Sequence, residues 1–244
     1  MKRLVMIGLG GNSFGPLQVG LWLSHRYPDA TLVLVDGKEY RPSQRDHEFF
    51  LRMGPKTHVQ ALLLHSAYPK LTVVPIQQFV DRTTTDQTIG ASDVVQEGDY
   101  VIAVVDNHET RKLLAEHATT LPNITLIVGG IDGNDVGVWV YLRRNNHELT
   151  PSPLQRYPDI ANASTVLPQE MFLREGCLEE GLTTKSEDRP NYFALLTTTT
   201  LTLNALWLAL DLDATGRIAL FPYVDTWLNV QTATATPNQR KEHS

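Results

Sequence analysis

The chain has 244 residues, 42% of them apolar, with 21 Lys and Arg against 27 Asp and Glu, a net charge of −6. That composition supports a substantial core, excludes wholesale disorder, and offers no broad basic surface for a nucleic acid. A single cysteine, Cys177, excludes an intrachain disulfide and a four-cysteine zinc site, so a reducing, cytoplasmic compartment is the expectation.

In chain order the apolar pattern alternates between strand and helix. Residues 4–7 form a short apolar run stopped by glycines, which reads as a buried strand. Pro16 suits the first turn of a helix, and the pattern predicts a helix over 17–26. Residues 31–35 are a second strand, ending at Asp36. After a polar stretch over 37–54, Val59, Leu62, Leu63 and Ala67 recur at helical spacing within 56–68. Residues 71–76 and 100–105 read as strands, 109–119 as a helix, and 124–128 and 136–142 as strands.

The pattern then changes. Residues 145–190 hold Pro151, Pro153, Pro158 and Pro168 and show little periodicity, which predicts a long irregular segment. Residues 191–210 are expected to form a long helix. The β-branched run Thr197 to Thr200 weakens it, but Leu195, Leu196, Leu201, Leu203, Leu206 and Leu210 keep an apolar period. Residues 217–236 alternate well enough for one or two strands, followed by a frayed tail. No run approaches ~18–20 uncharged apolar residues. The nearest, 194–210, is diluted by five threonines and an asparagine. The first residues lack a signal-peptide pattern, and no membrane partner is expected.

The expected fold class is therefore α/β: a Rossmann-like, mostly parallel sheet with helices on both faces and antiparallel strands toward the C-terminal part. Such sheets bind ligands beyond the carboxyl ends of their strands. Three strand ends carry candidate chemistry. Gly8-Leu9-Gly10-Gly11 joins the first strand to the first helix, where glycines let backbone amides approach phosphates and the helix dipole adds positive charge. Asp36 ends the second strand and can accept hydrogen bonds from ribose hydroxyls. Together these point to a nucleotide, without choosing between a nicotinamide dinucleotide and ATP.

Residues further on make that choice. Met53-Gly54-Pro55-Lys56 opens one helix and Asp106-Asn107-His108-Glu109-Thr110-Arg111 opens another. A lysine can neutralise phosphate charge, and an aspartate is a hard ligand for Mg²⁺. An enzyme acting on a triphosphate uses both; an NAD-dependent oxidoreductase, the alternative reading, uses neither.

These pieces, with Val33-Leu34-Val35-Asp36-Gly37 and Val128-Gly129-Gly130, match in order and spacing the ThiF/MoeB-type adenylyltransferases, relatives of the ubiquitin-activating enzymes, which the chain resembles over about residues 1–142. The resemblance implies one adenylation domain over 1–244: a nucleotide-binding core at 1–142, an irregular crossover at 143–190, and a C-terminal helix and strands at 191–236. It implies that ATP and Mg²⁺ are used to activate the C-terminal carboxylate of a ubiquitin-like or sulfur-carrier protein, releasing pyrophosphate, and that the chain is a homodimer.

Carried over by position, Gly8, Gly10 and Gly11 would line the phosphates and Asp36 would hold the ribose. Lys56 would act at the reacting phosphate, and Asp106 would bind Mg²⁺. Asn107 and Arg111 would either touch the nucleotide or fix the loop and helix start. The sequence departs from the family at Ser13, in place of a third turn glycine, and at Lys38, in place of a second acidic residue. Gln44 would replace an asparagine, and Arg45, or less well His47, would supply a cation to the terminal phosphate. These departures motivate a further reading, a non-catalytic scaffold that binds a ubiquitin-like partner. Family members that go beyond adenylation use a cysteine in the crossover, where Cys177 stands. Its neighbours Glu175, Glu179 and Glu180 would raise the thiol pKa and only Arg174 would lower it, which favours an inert thiol over a catalytic one.

Overall fold

The computed structural model describes residues 1–41, 48, 50–132, 135–164, 166–167, 192–216, 225–229 and 234–237. The strands are β1 (Arg3–Ile7), β2 (Thr31–Val35), β3 (Glu39–Tyr40), β4 (Gly54–Pro55), β5 (Thr72–Ile76), β6 (Phe79–Asp81), β7 (Thr88–Gly90), β8 (Tyr100–Ala103), β9 (Ile124–Asp132), β10 (Asp135–Arg144), β11 (His147–Glu148), β12 (Asp225–Asn229) and β13 (Thr234–Pro237). The helices are α1 (Gly15–Arg26), α2 (Lys56–Ala67), α3 (Ala91–Val94), α4 (His108–Thr120), α5 (Pro153–Arg156), α6 (Pro158–Asn162) and α7 (Tyr192–Thr215).

A nine-stranded sheet runs in the order β13-β12-β10-β9-β8-β1-β2-β5, with β11 paired to β10. The strands from β9 to β5 are parallel, and β10 to β13 are antiparallel. This is the expected mixed α/β sheet. The order reverses at β1 and β8. From β1 the chain builds outward through β2 to β5, and from β8 it builds the other way, which leaves a crevice at the carboxyl ends of β1 and β8.

Strand alternation divides the core into two layers. Leu4, Met6, Leu32, Leu34 and Ile102 pack with Val19 and Leu23 of α1, Val59 and Leu64 of α2, and Ala205, Leu206 and Ala209 of α7. Val5, Ile7, Val33, Val35 and Val101 face the other way, against Val94, Leu114, Ala118 and Ile160 from α3, α4 and α6. Both faces of β1, β2 and β8 are thus covered, which is why Leu4 to Ile7, Leu32 to Val35 and Tyr100 to Ala103 read as unbroken apolar runs.

Three expectations need correction. The segment expected to be irregular over 145–190 contains β11, α5 and α6 in its described part. Pro153 and Pro158 sit in helical first turns, where the missing N–H costs nothing. β6 and β7 form a short parallel pair that the threonine-rich sequence did not reveal. Finally, the helix over Phe193–Thr215 is long and apolar enough, by length and composition alone, to cross a membrane. In the fold it lies on β9 and β10. Its threonines cause no break because Thr198, Thr200 and Thr202 each donate a hydroxyl hydrogen bond to the carbonyl four residues back, at 2.9 Å.

Candidate functional site

The glycine turn over 8–14 lies at the crevice. Gly8 has φ of +79°, and a Cβ there would stand 2.3 Å from the Val104 carbonyl oxygen, so the end of β1 can abut the end of β8 only without a side chain. The Gly8 N–H donates to Val35 O at 2.9 Å, and Val104 N–H to Ile7 O at 2.9 Å. The ends of β1, β2 and β8 are thereby fastened together. The turn enters α1 through Gly15, with Pro16 in the first helical turn and no side chain capping the helix.

Asp36 grips this turn. Its Oδ2 accepts from Leu9 N–H at 2.7 Å and its Oδ1 from Lys38 N–H at 2.8 Å. Each carboxylate oxygen keeps a lone pair, so the residue can hold the turn and still accept from a hydroxyl.

The backbone then places two lysines side by side. β3 and β4 pair antiparallel, and Lys56 N–H donates to Lys38 O at 3.2 Å. Lys56 is the first residue of α2, with its side chain only 2% exposed. Its Nζ lies 2.8 Å from the Glu48 carboxylate and 5.8 Å from the centre of the Phe50 ring. A Cβ on Gly10 would be 2.7 Å from Glu48 Oε1 and 3.3 Å from Lys56 Nζ. The Lys56–Glu48 pair therefore rests directly on the glycine turn.

Lys38 Nζ lies 2.8 Å from Asp106 Oδ2. Burial is the largest single influence and acts to raise the Asp106 pKa, but the Lys38 ammonium and the hydrogen bonds from Lys38 and Asn107 together outweigh it and hold the carboxyl down at about 2. Asn107 caps α4, its Oδ1 accepting from Thr110 N–H at 2.7 Å, while its amide nitrogen faces Asp106 Oδ1 at 3.4 Å. Arg111 donates to Val105 O at 2.7 Å and ties α4 back to the end of β8. Burial lowers the Arg111 pKa and the Asp106 charge opposes that.

The structure thus brings Gly8, Gly10, Gly11, Asp36, Lys56, Asp106 and Asn107 around one turn. Gln44, Arg45 and Cys177 lie outside the described residues, as does His47. Sequence reasoning did not foresee Glu48. Nor did it assign a partner to Lys38, or find the hydrogen bond from the Thr199 hydroxyl to Asn12 Oδ1 at 2.8 Å, which anchors the turn to α7.

Mg²⁺ binds through one or two carboxylates plus phosphate oxygens and waters. Asp106 Oδ2 already faces an ammonium and Oδ1 an amide N–H₂ group. Among the described residues no group of three His, Cys, Asp or Glu side chains could hold a metal ion. With Lys38 in this position, the residues do not fit a metal ion held by Asp106.

A doubly covered sheet whose order reverses at a glycine turn, continued by antiparallel strands, defines this chain as Rossmann-like, with the fold of the ThiF type. Solved structures share that fold. PaaA superposes with a TM-score of 0.65 at 13% identity, covering 97% of this chain and 63% of PaaA. MccB of E. coli gives a TM-score of 0.62 at 11% identity, covering 96% of this chain and 61% of MccB; it has also been solved with ATP, and with AMPCPP and MccA. E. coli tRNA N6-threonylcarbamoyladenosine dehydratase, TcdA, in complex with AMP, gives 0.59 at 14% identity and covers 88% of each chain. This chain thus spans less than two thirds of the length of PaaA and MccB. No protein-family model and no curated protein sequence matches it.

Proposed function

We propose that this chain is an ATP-dependent adenylyltransferase, a single adenylation domain that activates the C-terminal carboxylate of a ubiquitin-like or sulfur-carrier protein. A carboxylate oxygen attacks the α-phosphorus of ATP, the bond to the α–β bridging oxygen breaks, and acyl-adenylate and pyrophosphate result. Backbone amides of the glycine turn bind phosphate, Asp36 accepts from the ribose, and Lys56 neutralises charge developing on the phosphate. The observation that carries the reading is the place of Lys56, buried at the start of α2 with its ammonium against Gly10; hydride transfer would leave it idle. The shared fold with MccB, solved with ATP and with MccA, supports both the nucleotide and a protein partner. The reading includes a homodimer in the cytoplasm.

Pyrophosphate exchange with a carrier protein ending in Gly-Gly tests the reading. Lys56→Ala is expected to slow exchange by about 10²–10³-fold, the usual loss when one charge-stabilising group is removed from a transition state. Exchange left unchanged by Lys56→Ala contradicts the assigned role.

A second reading, a binding-only scaffold, draws on Glu48, whose carboxylate lies over Gly10 where a phosphate would sit. Calorimetry separates the two: tight carrier binding with no nucleotide binding selects the scaffold.

A further inference from the structure

Lys38 occupies a junction of the site. Its N–H is held by Asp36 Oδ1 at 2.8 Å and its carbonyl accepts from Lys56 N–H at 3.2 Å. Its ammonium reaches Asp106 Oδ2 at 2.8 Å. Its backbone is therefore fixed on both sides by residues that flank the glycine turn, and its side chain spans from the end of β2 to the end of β8. The Lys38 side chain is 23% exposed and that of Asp106 58% exposed, so both remain open to a ligand entering the crevice. A divalent ion on Asp106 would have to expel this ammonium or sit within a few Å of it, where like charges repel strongly in a partly desolvated site.

We infer that Lys38 is the site's built-in phosphate-binding cation, standing at Asp106 where a divalent ion would otherwise stand, so that nucleoside triphosphate binding does not require a metal ion at that carboxylate. The inference rests on the adenylation reading for the identity of the ligand. Asp106 orients the Lys38 ammonium, and Lys38 and Lys56, joined through the backbone, each carry an ammonium ion-paired to a carboxylate at the site. An ammonium is a compact donor with three N–H groups and binds phosphate as a point charge.

Calorimetric titration of the full chain with ATP, in excess EDTA and in excess Mg²⁺, tests this. The unaltered protein is expected to bind ATP with affinities that agree within about threefold in the two conditions, a difference of about 0.7 kcal/mol. Lys38→Ala is expected to weaken binding in EDTA by more than about tenfold and to make it depend on Mg²⁺, because the ammonium no longer stands at Asp106 Oδ2. Lys38→Arg, which keeps the charge, is expected to preserve binding in EDTA; a role in folding alone would not produce this exchange of metal dependence. Binding by the unaltered protein that EDTA abolishes and Mg²⁺ restores overturns the inference and leaves the adenylation reading standing. Failure to bind ATP in either condition overturns both.

Discussion

The Lys56 ammonium and the Glu48 carboxylate meet at 2.8 Å with almost no solvent between them and the core, the lysine side chain 2% exposed and the glutamate 10%. Breaking a buried pair by removing one partner strands the other charge, which costs about 3–5 kcal/mol. Glu48→Ala is therefore expected to lower unfolding stability by about that amount in urea titration. Glu48→Ala with Lys56→Met removes both charges and is expected to recover most of the loss. A double variant no more stable than Glu48→Ala would show that the pair is not what the core depends on.

The same pair bears on ligand binding. Glu48 Oε1 lies against Gly10, on the surface a phosphate would use, so carboxylate and phosphate compete for Lys56. Glu48→Gln keeps the shape and removes the charge. It is expected to tighten ATP binding about tenfold by calorimetry; equal or weaker binding would mean that Glu48 does not occupy the phosphate position.

Much of the fold was legible because the central parallel strands are buried on both faces. Leu4 to Ile7 and Leu32 to Val35 could not be apolar throughout in a half-exposed sheet. The glycine turn, Asp36, Lys56 and Asp106 were legible because the chemistry expected of them sits at strand and helix ends, where local sequence marks the boundary. Glu48 was not, since only the tertiary approach of its segment to α2 gives it meaning, and nothing in its neighbours distinguishes it from a solvated acid. Lys38 was visible as a departure from the family pattern, but its bond to Asp106 spans 68 residues. The threonines of α7 were read as weak helix formers. Their burial against the sheet and the glycine turn explains why hydroxyls that bond within the helix stand there.

Thr199 differs from its neighbours. Its hydroxyl leaves the helix and donates to Asn12 Oδ1 at 2.8 Å, joining residues 187 positions apart, both inaccessible to solvent. Thr199→Val keeps the shape and leaves a buried acceptor without this donor, which costs about 1–3 kcal/mol. Thr198→Val loses a hydroxyl that only bonds back to Ala194 O within the helix and is expected to cost less. Thermal unfolding of the two variants checks the order, and the reverse ranking would remove α7 as the support of the turn.

The Asp106–Lys38 pair sets a pH dependence. Because the folded-state pKa of Asp106 is lowered to about 2, its contribution is fully present above the unfolded pKa and is lost as pH falls from about 4 through about 2. In Lys38→Met the lowering charge is gone, so the Asp106 titration is expected to move upward, toward the ordinary carboxylate range. Carboxyl-carbon NMR reads the shift directly. A midpoint that stays near 2 in Lys38→Met would assign the lowering to the Asn107 and backbone hydrogen bonds rather than to Lys38.

The proposed homodimer predicts a contact surface, and α7 carries exposed aromatics where one could form. Phe193 is 67% exposed and Trp207 55%, and their spacing puts both on one stripe of the helix, with the exposed Thr200 between them. The opposite side of α7 is buried against the sheet through Ala205, Leu206 and Ala209. Leu21, half exposed, lies on α1, which packs beside α7. Exposed aromatics on one stripe of a helix that is otherwise a core element match the aromatic enrichment of partner-facing surfaces. Trp207→Glu places a charge there without touching the core. It is expected to raise the dimer dissociation constant by at least about a hundredfold, the loss typical of an aromatic anchor, with the unfolding temperature of the monomer unchanged. Sedimentation across a concentration series measures this. A mass independent of both concentration and the substitution, at the value of one chain, would remove the dimer from the proposed function.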